Sequence, residues 1–430
     1  MTQNRLTRRS FLKFAGGTVA IGALAACVPA APAPAGEAGG EAPATDPGTL
    51  WALQKQDFHP EYNDFIRAHI VNYAAENDLT LDVAYTAGFA GTGADNQKVA
   101  AAVQAGDPPD VWMDNRNPFQ LQQLGTLQPV TDLQEEVIAI YGEPNPRPKS
   151  ETLLEGEYVG VTLHTRSDGG WARTDVFEPA GIDLAAIITY DELAAAAMEV
   201  SDPDNELWGW GMTVNRGGDG GWFIQRVLHG WGATWVDETG DYVTIDSPEA
   251  VEAVEWLVDL YTNPEWEKMM PPGVLSWTDS SNNEAYLGGK VAYTQNAGSV
   301  YAKAVADGLD VANHTMFDIP KGGPALQDFN GLGGMYLHHI MGSKNPEHAR
   351  GLIMSFFNDE VQQGMFGSGW NGLPWPGPST AQIGAVGSSN VHTDMIANVL
   401  NGQMTAAESV KNAYDQSVTI FKEFGAPGEA

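Results

Sequence analysis

From residue 49 onward, apolar positions recur in two alternating periods. Thr49-Leu50-Trp51-Ala52-Leu53 reads as a short strand, and residues 60–77 carry Phe65, Ile66, His69, Ile70 and Tyr73 at helical spacing. Residues 79–85 alternate as a second strand, 96–104 form a short helix, and Asp110-Val111-Trp112-Met113 forms a third strand after Asp107-Pro108-Pro109. This alternation of strand and helix predicts an α/β lobe with a mostly parallel sheet. Residues 157–163 read as another strand, which leads through the glycine-rich step Ser167-Asp168-Gly169-Gly170 to Trp171. Thr189-Tyr190-Asp191-Glu192 is a capping box for the helix at 193–200, and 235–245 reads as a hairpin around Glu238-Thr239-Gly240-Asp241. Ser247-Pro248-Glu249 caps a helix with Val251, Val254, Leu257, Val258 and Tyr261 on one face, where Trp256 reads as core. Asn345-Pro346-Glu347 starts another helix, and Thr405-Ala406-Ala407-Glu408 caps the last one. No internal repeat is present.

The first 27 residues follow a different pattern. Thr7-Arg8-Arg9-Ser10-Phe11-Leu12-Lys13 precedes an apolar, small-residue run that ends in Leu24-Ala25-Ala26-Cys27. A basic start, a short apolar stretch and small residues before a processing point predict an export signal over 1–26. The twin arginine resembles a Tat signal, and Leu-Ala-Ala-Cys resembles a lipobox whose Cys27 is lipidated. Cys27 is the sole cysteine, so no disulfide is expected. Residues 27–48 are mostly Pro, Ala, Gly and Glu and predict a disordered tether. No stretch after the signal is apolar for eighteen residues, so the expected location is the outer face of the cytoplasmic membrane, held by lipid.

The net charge of −33 changes the picture of partners. Loss of Arg5, Arg8, Arg9 and Lys13 with the signal leaves 18 basic residues against 55 acidic, or −37. Such a chain repels nucleic acid and anionic lipid head groups. The mature length of about 380 residues suits two lobes. Thirteen tryptophans exceed ordinary usage and are expected either in the core or against ligand.

Six signatures then occur in order. They are Ala105-Gly106-Asp107-Pro108-Pro109-Asp110-Val111, Gly156-Glu157-Tyr158-Val159-Gly160-Val161, and Asp175-Val176-Phe177-Glu178-Pro179-Ala180-Gly181-Ile182. Ser247-Pro248-Glu249-Ala250, Tyr286-Leu287-Gly288-Gly289-Lys290-Val291-Ala292-Tyr293 and Ser343-Lys344-Asn345-Pro346-Glu347-His348-Ala349 follow. With the export signal in front, the chain resembles family 1 extracellular solute-binding proteins, the carbohydrate-type receptors of ABC importers. Thr162 stands where that family usually has Pro, and Ala172-Arg173 where it usually has Tyr-Asn.

The resemblance implies two α/β lobes around a hinge, expected at 49–165 with 315–366 and at 166–314 with 367–430. It implies a monomeric receptor without cofactor or catalysis, whose partners are a sugar and the transmembrane subunits of an ABC permease. A polyol-phosphate receptor and a secreted glycosidase are the alternatives. Trp222, after Arg216-Gly217-Gly218-Asp219-Gly220-Gly221, falls where the family stacks an aromatic on sugar. Trp277 and Trp370 (the latter next to Asn371) also sit in polar, glycine-containing loops, though each tryptophan has a core reading too. Polar candidates are Asp114, Asn115 and Arg116 after the third strand, His164 and Arg166 near the hinge, and Asn296, which alternatively caps its own turn. Gly333, in the run 331–334, brings backbone to ligand or simply enters a strand. Asp202-Pro203-Asp204-Asn205-Glu206 lacks the Gly and Glu of a calcium loop, and His338-His339 point to opposite strand faces, so no metal site is expected. The run 217–221 lacks Gly-Lys-Ser/Thr, so no phosphate loop is expected either.

Overall fold

The computed structural model describes residues 48–86, 95–115, 118–144, 146–318, 321–326, 332–364 and 381–429. The export signal, Cys27 and nearly all of the tether lie outside the described residues, as do Arg116, Gly331, Trp370 and Asn371. Strands β1 (Thr49–Lys55), β2 (Thr80–Thr86) and β3 (Val111–Asp114) form close to where the alternation predicts them, and they pair in parallel. The Pro60–Glu76 helix returns the chain from β1 to β2. Leu50, Ala52, Val111 and Met113 point to one face, under Ile66 and Ile70 of that helix and Leu352 and Ile353 of the Pro346–Ser355 helix. Trp51, Leu53 and Trp112 point to the other face, with Phe119 and Leu121. The period-2 strands thus bury both faces, as a parallel lobe requires.

The predicted strand at 157–163 divides in two. β4 (Leu153–Leu154) and β5 (Glu157–Tyr158) make a small hairpin. β6 then runs unbroken from Val161 to Arg173, through the glycines expected to be a step. A Cβ on Gly170 would lie 2.1 Å from the Tyr293 hydroxyl, and one on Gly169 2.4 Å from the Phe317 ring. These glycines therefore let the strand pass under aromatic side chains rather than turn it.

β6 is shared between two halves of one sheet. Residues 161–167 pair with β10 (Leu332–His339), and 168–173 pair with β8 (Val291–Ala297) and β9 (Thr315–Asp318). With β7 (Trp208–Trp210), the strand order is β2-β1-β3-β10-β6-β8-β7. Pairs are parallel among the outer strands and antiparallel where β6 and β10 cross.

The second lobe has its own core, in which Trp210, Phe223, Leu257, Ile396 and Phe421 are buried around Ala172 and Tyr293. Trp256 packs against this core and donates its indole N–H to Asp191. The capping boxes at Thr189 and Thr405 form as the sequence predicts.

The stretch from 315 is tied to the second half of β6 and to the elements beyond it. β9 belongs to the second lobe, and Gly322 is bonded to Ile188 and Tyr190 while Ala325 and Leu326 donate to Gly230. The chain returns to the first lobe between 326 and β10. At its C-terminal cap the Ala406–Glu423 helix also reaches the first lobe. There Phe424 packs near Trp112 and Phe119, and its carbonyl accepts from Gln123 at 3.0 Å.

Candidate functional site

In an open α/β sheet, ligand groups collect beyond the carboxyl ends of the parallel strands. The register shows where those ends lie. Asp114, the last residue of β3, pairs with Tyr336, which pairs with Thr162 of β6. Asn296, near the end of β8, pairs with Gly169 of β6. The two carboxyl edges are therefore separated by the stretch of β6 from 162 to 169, about 23 Å of strand. This stretch and the start of β10 lie between the two edges, where a cleft between the lobes would have its floor.

On the first-lobe side, Tyr62 and His164 meet. The Tyr62 hydroxyl is 2.9 Å from His164 Nε2, and the rings stand edge to face at 5.9 Å. Tyr62 comes from the first turn of the Pro60–Glu76 helix, and His164 from the floor strand. His59 and Glu61 pair beside them at 3.0 Å. Asp114 does not reach the cleft surface. It is fully buried on the sheet face shared by Trp112 and His338, so its carboxylate sits inside the lobe. Burial there holds His338 down at about 4. Asn115 follows, half-buried.

On the second-lobe side, Asn296 lies in a dense amide network. Its side-chain NH2 donates to Asp219 Oδ2 at 2.9 Å and to Asn283 Oδ1, and its Oδ1 accepts from the Ala297 amide at 2.7 Å. Asn296 lies within β8 rather than in a loop, so it caps no turn, although its Oδ1 accepts from the next amide. Trp171 Nε1 donates to the Asn296 carbonyl at 3.1 Å. The Trp171 ring stacks on Tyr301, 5.5 Å apart at 7°, and Tyr301 is 37% exposed.

Trp222 is not in a loop. The glycine run starts the Gly218–Trp231 helix, and Trp222 lies one turn inside it, half-buried. The Arg226 guanidinium sits 3.9 Å from the centre of its ring, one helical turn on. Trp277 is half-buried against the cluster of Trp171 and Tyr286. Arg166 and Gly333 are paired across β6 and β10 on the cleft floor.

The structure thus sets His164, Arg166 and Gly333 on β6 and β10, Asn296 at the end of β8, and Asp114 inside the lobe. Tyr62 and Trp171 beside them are buried, while Tyr301 and Asp219 are partly exposed. Sequence reasoning passed over Tyr62 because it reads as a helical core position. Asp219 was visible only as one acid in a glycine run.

The profile of the bacterial extracellular solute-binding protein family matches residues 59–363. The chain belongs to this family. It is a solute-binding protein and not an enzyme. The arabinooligosaccharide-binding protein of Halalkalibacterium halodurans is 27% identical over 159 residues, 37% of this chain and 34% of that relative. The match thus spans about a third of the relative's length. The maltose-bound T. maritima MalE3 superposes with a TM-score of 0.73 at 20% identity, covering 88% of this chain and 99% of that one. A solute-binding protein of Thermotoga lettingae TMO bound with α-D-tagatose gives 0.71 at 18%, covering 87% and 99%. At these identities the likeness carries the two-lobed fold.

Proposed function

We propose that this solute-binding protein captures a neutral mono- or oligosaccharide in the cleft over β6 and delivers it to an ABC permease. In this reading it is exported through its twin-arginine signal and anchored by lipid on Cys27. The observation that carries the ligand reading is the pairing of aromatic and hydroxyl-bonding groups around one strand. Tyr301, partly exposed, stacks on buried Trp171 beside the Asn296 network, and partly exposed His164 on β6 is bonded to buried Tyr62. A sugar ring offers an apolar C–H face to the first kind of group and hydroxyls to the second. The names of the relatives point the same way, since those proteins bind arabino-oligosaccharide, maltose and tagatose.

The mechanism needs no bond broken. The lobes close about β6, and the closed form binds ligand better than the open form. Without that differential, ligand would shift no population and the permease would have nothing to read. Trp222 and Trp370 are proposed as further stacking walls. Arg116, Arg166, Asn115 and Asn371 are proposed as polar contacts.

A thermal-shift screen of the purified mature protein tests the ligand class. The panel is maltose, an arabino-oligosaccharide, D-tagatose, ribitol, glycerol 3-phosphate and amino acids. A ligand at 100 times its dissociation constant adds about 2.7 kcal/mol. Stabilisation by amino acids or phosphate esters alone would overturn the sugar reading. Anchoring is tested by Cys27→Ala, which should release folded protein; retention on salt-washed membranes would count against it.

A further inference from the structure

We infer that Asp219 is the hydroxyl-accepting group of the second-lobe wall, and that Asn296 and Asn282 are positioning residues that aim it. This rests on the carbohydrate reading of the cleft and assigns its second-lobe polar contact. Asn296 is only 5% exposed and both ends of its amide are already bonded. A ligand hydroxyl would have to break one of those bonds to use it. Asp219 stands next in the chain of contacts. Its Oδ2 accepts from Asn296 at 2.9 Å and from Asn282 Nδ2 at 3.0 Å.

The orientation of Asn282 is fixed by what it faces. Its NH2 lies against two acceptors, Asp219 Oδ2 and, at 3.4 Å, the Gln295 carbonyl. Flipping the amide would set oxygen against oxygen. Asn282 is 1% exposed, and its Oδ1 has no hydrogen-bond partner in the protein. A buried amide left half-bonded is costly in a purely structural network. Its retention beside Asp219 marks a place that receives proton donors.

Asp219 is also held from its backbone. Asp279 accepts from the Gly218 amide at 2.7 Å and the Asp219 amide at 3.2 Å, and from Asn215 Nδ2 at 3.3 Å. Asn215 in turn accepts from the Gly220 amide at 3.1 Å. A Cβ on Gly217 would come within 2.2 Å of the Asp279 carboxylate, so glycine is required for this approach. The first turn of the helix is thereby rigid, and its dipole favours a negative charge there.

Asp219 is half-exposed and bonded to Asn296 near the carboxyl end of β8, where Asn296 pairs with Gly169 of β6. A carboxylate accepts in about four directions and donates in none. The ligand class follows. This subsite takes solutes that present neutral hydroxyl donors and rejects a phosphate or carboxylate at the same position.

The test compares wild type, D219N and N296A by calorimetric titration with maltose, an arabino-oligosaccharide, D-tagatose and ribitol, and with glycerol 3-phosphate. D219N keeps the shape but adds a donor. It should weaken binding of the neutral ligand about 10- to 100-fold, the range for a hydrogen bond to a charged group. It should also narrow the gap between that ligand and glycerol 3-phosphate, which a merely structural role would not do. N296A should lose affinity in the same direction but less. Melting of ligand-free D219N within a few degrees of wild type confirms folding. Should D219N instead melt far lower, D219E serves as the second variant, and unchanged neutral-ligand affinity per folded molecule overturns the assignment. Unchanged affinity in D219N does the same while leaving the carbohydrate reading intact. Binding of no panel carbohydrate by wild type overturns both.

Discussion

Replacing Lys321 by methionine removes a buried cation while keeping most of its volume. Lys321 and Asp318 have side chains only 3% and 4% exposed, with the ammonium 2.8 Å from the carboxylate. The same ammonium donates to the Ile187 carbonyl at 2.6 Å and the Leu184 carbonyl at 3.2 Å. It therefore ties the end of β9 to the start of the Tyr190–Val200 helix, where the chain leaves for the first lobe. Methionine would leave a buried carboxylate without its cation and two carbonyls without their donor. Breaking one partner of a buried pair costs about 3–5 kcal/mol. Asp318 also lies against Tyr293, where burial and then that carboxylate's charge push the phenol well above its ordinary value. Urea unfolding followed by circular dichroism measures the loss from the midpoint at constant slope. The double variant D318N/K321M should recover at least half of it, since no charge is then stranded. A loss under about 1 kcal/mol, or no recovery in the double variant, would refute the reasoning.

Gly170→Ala should cost about 1–3 kcal/mol in the same assay, because its Cβ would meet the Tyr293 hydroxyl at 2.1 Å. Trp222→Ala should weaken sugar binding by about 1–3 kcal/mol with little change in ligand-free melting if the ring is a ligand wall. A large ligand-free destabilisation with unchanged affinity would instead make it a cap over Arg226. Burial depresses His338 and His392 from 6.5 to about 4. The unfolded chain then binds more protons between those values, so their contribution is intact above pH 6.5 and lost as pH falls toward 4. From pH 7 to 5 this removes roughly 1.5–2 kcal/mol per histidine, which urea titrations at the two pH values would detect.

The sequence by itself determined the elements whose signals are local. A capping box such as Thr189 with Glu192 satisfies its own helix end, and the alternation in β1 to β3 needs only neighbouring residues to be read. The ordered signatures were enough for the family, because each marks a turn or cap that the fold reuses. Tertiary structure decided the rest. Whether Gly169-Gly170 turned or continued a strand depended on Phe317 and Tyr293, more than a hundred residues away. The pairing of β9 with β6 joins residues far apart in the chain, which no local pattern encodes. The candidate site moved for the same reason. Asp114 and Asn296 both lie at the ends of strands, yet one is buried on a sheet face and the other is bonded to Asp219 and Asn283. Position after a strand brings a residue to the cleft edge. Which way its side chain then points is set by partners from other helices, and those meet it only once the sheet has assembled.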